Sequence, residues 1–196
     1  MDTSHGELRR AIGFVALLNL GYFGIEFAVA RAIGSVSLFA DSVDFLEDAS
    51  VNFLILAAIG WSVRKRARVG MALAGILLVP GLATLWTAWQ KFFTPIAPDA
   101  GLLSLTAVGA MLVNICAALV LARYRHHRGS LTLAAFLSAR NDVLANIAII
   151  CAGVVTAYWW RSAWPDLLVG LGIAAMNADA AREVWAAARE DHRAEA

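Results

Sequence analysis

The stretch Asp41-Ser42-Val43-Asp44-Phe45-Leu46-Glu47-Asp48 places four carboxylates inside an apolar block that runs from about 38 to 62. In a soluble protein such a stretch would be an ordinary polar helix. Here its apolar flanks, Leu38-Phe39-Ala40 and Phe53-Leu54-Ile55-Leu56-Ala57-Ala58-Ile59, read as a membrane span. A charged side chain at the centre of a bilayer costs about 2.5–3.5 kcal/mol even on the mildest scale, so carboxylates there face water, a cation or a basic partner. Asp44 and Asp48 are four residues apart and share one helix face. Asp41 and Asn52 extend that stripe by a turn in each direction. Glu47 points about 100° away from Asp48 and is available for another role. Two like charges stacked one turn apart repel unless a proton or a cation lies between them, and a divalent ion answers both.

Composition agrees with the bilayer reading. Of 196 residues, 60% are hydrophobic and only 16% charged, against about 45–50% and about 25% in soluble domains. The net charge of +1 offers no basic face for nucleic acid. A span needs roughly 20 apolar residues, and six blocks qualify: about 9–31, 38–62, 70–92, 101–122, 131–159 and 166–187. The expected fold is therefore all-α, a single polytopic domain of six transmembrane helices. Arg9 and Arg10 before an apolar run resemble a signal peptide, but Asn19 and Glu26 interrupt the run, which is read as a retained first span. Pro80-Gly81 should kink the third span, and Thr94-Pro95 with Pro98-Asp99 marks a turn after it. Cys116 and Cys151 sit singly in apolar runs and read as small buried hydrophobes.

Loop charge orients the spans. Arg9 and Arg10, then Arg64, Lys65, Arg66 and Arg68, then Arg123, Arg125 and Arg128, then Arg182, Arg189 and Arg193 all fall on one side. The other side has only Arg31, Lys91 and Arg161. The excess of Lys and Arg marks the cytoplasmic side and places both termini there, in a multi-pass protein of the cell membrane.

The fifth span repeats the polar theme. Ser138, Asp142 and Asn146 share one face, and Asp142 can bring a third carboxylate to Asp44 and Asp48. Two ligands from one helix and one or two from another can close a four-coordinate site. Arg140 lies about 200° around the helix from that face, and it is expected to pair with Glu47 or Glu26. Asn19, Tyr22 and Glu26 form a stripe on the first span, and Glu26 stands out because it can ionise. Asn114 reads as an interhelical hydrogen bond. His126 and His127 sit in a basic loop and read as solvated.

Two longer stretches resemble a known family. Asn19-Leu-Gly-Tyr22-Phe-Gly-Ile-Glu26, followed by Gly34-Ser35-Val36-Ser37-Leu38-Phe39-Ala40-Asp41-Ser42-Val43-Asp44-Phe45-Leu46-Glu47-Asp48, is similar to the first two helices of cation diffusion facilitators. Ala134-Ala135-Phe136-Leu137-Ser138-Ala139-Arg140-Asn141-Asp142 resembles the family's fifth-helix His/Asp-x-x-x-Asp, and Pro165-Asp166 its sixth-helix opening. The resemblance implies that Asp44, Asp48 and Asp142 are metal ligands and that Ser138 occupies the fourth position. Asp41, Asn141, Glu26 and Glu47 are accessory candidates. It also implies a homodimeric exporter that moves Zn2+, or Mn2+, Co2+, Cd2+ or Fe2+, out of the cytoplasm against protons, with no organic cofactor. Carboxylates suit that exchange, since proton and metal compete for the same oxygens.

Three departures qualify the resemblance. A neutral serine at 138 weakens a zinc site, leaves it to be completed by water or Asn141, or tunes it toward a harder ion such as manganese. It also removes an imidazole that would titrate near neutral pH. The loop from Arg64 to Arg68 lacks histidine and carboxylate, so no second site is expected there. No cytoplasmic domain is expected after the sixth span. A non-transporting metal-binding subunit or sensor is the main alternative. Magnesium-dependent membrane prenyltransferases and alcohol phosphotransferases are a further one, since Asp41-x-x-Asp44-x-x-x-Asp48 also suits a diphosphate-bound magnesium.

Overall fold

A computed structural model describes residues 3–58, 82–123 and 129–176, and at 3–5, 58 and 129–141 it describes the backbone alone. Every regular element among them is helical: α1 (Thr3–Ile33), α2 (Val36–Ala58), α3 (82–93), α4 (Ala100–Ala122), α5 (Gly129–Tyr158) and α6 (Trp164–Met176). The all-α expectation holds. The helix α1 begins earlier than the apolar block at 9, because its first turns are polar but helix-compatible. Residues 94–99 form the turn expected from their prolines, and Asp99 ends it by capping α4, its Oδ1 accepting from Leu102 N at 2.8 Å. The Pro80-Gly81 kink and the loop basic residues Arg64 to Arg68 lie outside the described residues, as do His126, His127 and the tail.

The bundle is polar inside and apolar outside. Asn19, Glu26, Asp41, Asn114 and Asn146 are buried, whereas Leu17, Ile25, Trp86, Trp89, Phe93 and Tyr158 are exposed. The helix α4 shows the rule most plainly. Its inner face is Leu103, Thr106, Ala107, Ala110, Asn114, Ala117 and Leu121. Its outer face carries Leu105, Leu112 and Leu119 at heptad spacing, each more than half exposed. Water would penalise that arrangement, and hydrocarbon does not. Two helical stretches, Gly6–Ile33 and Ala100–Ala122, are long and apolar enough by themselves to cross a bilayer. The helix α1 packs mainly on α2, and α4 mainly on α5; α1 also meets α4, and α2 rests more lightly on α5.

One end of the bundle is tied by a single carboxylate. Gly34, at φ 64°, ends α1 in the left-handed region that glycine adopts without strain. Ser35 N donates back to Ala30 O at 3.0 Å, the Schellman pattern, and Ser35 Oγ then caps α2 by accepting from Leu38 N at 3.1 Å. Asp166, wholly buried near the start of α6, accepts from Val36 N at 2.9 Å, Ser37 N at 3.2 Å, and the hydroxyls of Ser35 and Ser37 at 2.6 Å each. Lys91, near the end of α3, pairs with it at 2.9 Å and also donates to Gly34 O. An anion at a helix start and a cation at a helix end are both favourable. Around this knot Val36, Ala88 and Leu167 pack as an apolar cluster.

The close approach of α6 to α2 depends on Gly170. A Cβ there would meet Val36 C and Ser37 N at 2.8 Å, closer than backbone atoms tolerate. Gly170→Val is therefore expected to destabilise the protein by about 1–3 kcal/mol through overpacking. Gly172→Ala, where nothing lies within 4 Å, is expected to be neutral or slightly stabilising. Thermal unfolding of both variants in detergent checks the contrast, and equal effects would refute it.

Candidate functional site

The polar stripes of α1, α2 and α5 meet inside the bundle. On α2, Asp41 is fully buried, and Asp44, Glu47 and Asp48 are half-buried. On α1, Asn19 and Glu26 are fully buried. On α5, Asp142 is half-buried and Asn146 fully so. Asn19 Nδ2 donates to Asp48 Oδ2 at 3.4 Å, which joins the α1 stripe to the α2 stripe. Asn52 Nδ2 donates to Asp48 O, and Asn146 Nδ2 to Asp142 O, both at 2.8 Å. These two asparagines thus fold back one turn onto their own helices beside an aspartate.

The carboxylates feel one another across the helices. Asp44 lies within electrostatic reach of Asp142, Asp41, Glu47 and Asp48. Asp142 lies within reach of Asp48, Asp41 and Glu47. Among the described residues, however, no three His, Cys, Asp or Glu side chains close around one point as a metal centre would. Asp44, Asp48 and Asp142 share a region without forming a coordination shell. Ser138, Asn141 and Arg140 stand on α5, but their side chains lie outside the described residues, and so does the expected pairing of Arg140 with Glu47 or Glu26.

Glu26 instead neighbours Asp41. Tyr22 completes this corner: its ring rests against Phe45 with centroids 5.2 Å apart, and its hydroxyl donates to Thr106 O at 2.7 Å. The buried side-chain polar atoms without a hydrogen-bond partner among the described residues are Asn19 Oδ1, both oxygens of Glu26 and of Asp41, the Oδ1 atoms of Asn52, Asn114 and Asn146, and Thr156 Oγ1. All are oxygens. Buried polar atoms are normally satisfied, and among the described residues these acceptors outnumber the donors within their reach.

Sequence reasoning missed the Asp166–Lys91 knot. From the sequence alone Lys91 reads as a loop charge and Asp166 only as part of a family pattern. The available signal was the pair Ser35-x-Ser37 immediately after Gly34, a helix start with capping groups enough to hold an anion.

The architecture and the acid-lined interior define a class. The chain matches the family described as the cation efflux transmembrane domain over residues 13–190, and it belongs to that family of membrane proteins. Among its relatives is the zinc transporter ZitB of Escherichia coli, 26% identical over 182 residues that cover 86% of this chain and 56% of the relative. The zinc transporter ZitB of Pectobacterium atrosepticum is 28% identical over 183 residues, covering 84% and 55%. That of Yersinia pestis is 27% identical over 161 residues, covering 73% and 52%. The chain thus spans little more than half the length of the curated relatives it matches. Membership of this family sets aside the prenyltransferase and phosphotransferase readings.

Proposed function

We propose that this chain is a six-span domain that moves a divalent metal cation out of the cytoplasm through Asp44 and Asp48 of α2 and Asp142 of α5, with Ser138 lining the fourth position. The observation that carries this reading is the gathering of those three carboxylates, from two helices, in the interior of a bundle whose surface is apolar. Zinc is the first candidate, because the relatives are named as zinc transporters; Mn2+, Co2+, Cd2+ and Fe2+ share its divalent charge. Proton antiport follows from competition for the same oxygens. The charge distribution of the loops supports cytoplasmic termini in the cell membrane, and family resemblance supports a homodimer.

Two observations favour the alternative of a metal-binding subunit that does not transport: the neutral Ser138 and the open arrangement of the carboxylates. Purified protein in proteoliposomes separates the readings. Saturable zinc flux is expected, faster when the receiving compartment is the more acidic, because protons then move down their gradient in the opposite direction. Folded protein that binds zinc but gives no flux would establish the subunit reading instead.

A further inference from the structure

We propose that Glu26, Asp41 and Asn146 form a second, all-oxygen cation station, about one helical turn from the Asp44, Asp48 and Asp142 region on the side of the α1–α2 turn. It rests on the ion-pathway reading above and adds a stop to that path.

Three helices supply the station, Glu26 from α1, Asp41 from α2 and Asn146 from α5. All three side chains are wholly buried. Glu26 and Asp41 are neighbours, and Asn146 lies beside Asp41. Among the described residues none of the four carboxylate oxygens meets a donor in hydrogen-bond geometry, and neither does Asn146 Oδ1. Two carboxylates alone would make only an acidic pair. The amide oxygen of Asn146 is the independent sign: its Nδ2 donates to Asp142 O and stands beside Asp41, and among the described residues its buried Oδ1 has nothing to accept.

The described donors nearby are engaged elsewhere. Tyr22 lies next to both Glu26 and Asp41, yet its hydroxyl is given to Thr106 O. Lys91, the buried cation among the described residues, is held by Asp166. Among the described side chains, a single divalent ion at Asp44, Asp48 and Asp142 offsets two charges, while Glu26, Asp41 and Glu47 stand in the same interior. A second cation resolves both the surplus of charge and the surplus of acceptors. Two carboxylates and an amide oxygen are hard donors and suit a hard divalent ion such as Mn2+.

Mn2+ is the probe, followed by the loss of the free-ion electron paramagnetic resonance signal on titration into the full chain in nanodiscs. The native chain is expected to bind two Mn2+. The combined variant Asp44→Asn, Asp48→Asn, Asp142→Asn is expected to keep one, and adding Glu26→Gln to remove it. Asn146→Leu in the same background is expected to weaken that remaining ion at least tenfold. A monodisperse size-exclusion peak establishes folding, and Glu26→Gln alone, falling from two ions to one, is the check if the fourfold variant does not fold. A folded triple variant that binds no Mn2+ would overturn the station, as would a remaining ion indifferent to Glu26→Gln. Binding untouched by the triple substitution but lost with Glu26→Gln would keep the station and refute the α2–α5 site of the proposed function.

Discussion

Asp48→Ala is expected to reduce zinc flux in proteoliposomes to the rate of protein-free vesicles. Asp48 is where three helices meet in charge: Asn19 of α1 donates to it, Asp142 of α5 lies within its electrostatic reach, and Asp44 stands one turn away on its own helix. Removing an outer partner of a metal ligand typically lowers affinity about 10–100-fold. Removing a ligand itself should exceed about 100-fold. Glu47→Gln is the control, because that side chain leaves the helix about 100° from Asp48's direction, and most of the flux should survive. Expression and monodispersity of the Asp48→Ala protein need to match the native chain. Flux near the native rate from such a protein would rule out the α2 carboxylates as the path.

The largest loss of stability is expected from Asp166→Ala. Five donors from two segments, residues 35–37 and α3, converge on that carboxylate, and the substitution leaves each without it. Lys91, 7% exposed, would then remain buried with Gly34 O as its remaining partner among the described residues. Breaking a buried pair from one side costs about 3–5 kcal/mol because the surviving charge is uncompensated. Lys91→Met added to Asp166→Ala should recover part of that loss, since it removes the stranded ammonium. Thermal unfolding in detergent, run as a double-mutant cycle, measures both effects. A single Asp166→Ala variant within about 0.5 kcal/mol of the native protein would show that the knot is structurally idle.

Much of the helical layout could be read from the chain because one property dominated. Apolar length marked the helices, and proline pairs marked the turn at 94–99. The faces of the site were legible for a similar reason: a helix repeats every 3.6 residues, so Asp44 with Asp48, and Asp142 with Asn146, share a side whatever surrounds them. What spacing cannot carry is the pairing between helices. The apposition of Glu26 and Asp41 depends on the rotation of α1 against α2, which no single helix encodes. The partnership of Asp166 with Ser35 and Ser37 joins residues about 130 positions apart, and hydropathy contains no term for it. Gly170 reads as an ordinary span residue until the backbone of α2 is set against it.

That separation also sets an order on biogenesis. The amides of Val36 and Ser37 emerge early, whereas the carboxylate that accepts from them is synthesised 130 and 129 residues later. At about 5–20 residues per second, roughly 7–26 s pass in which the start of the second helix has no Asp166 to meet. Throughout that interval its amides depend on water or lipid headgroups, so the hairpin of α1 and α2 reaches its final state only when α6 arrives.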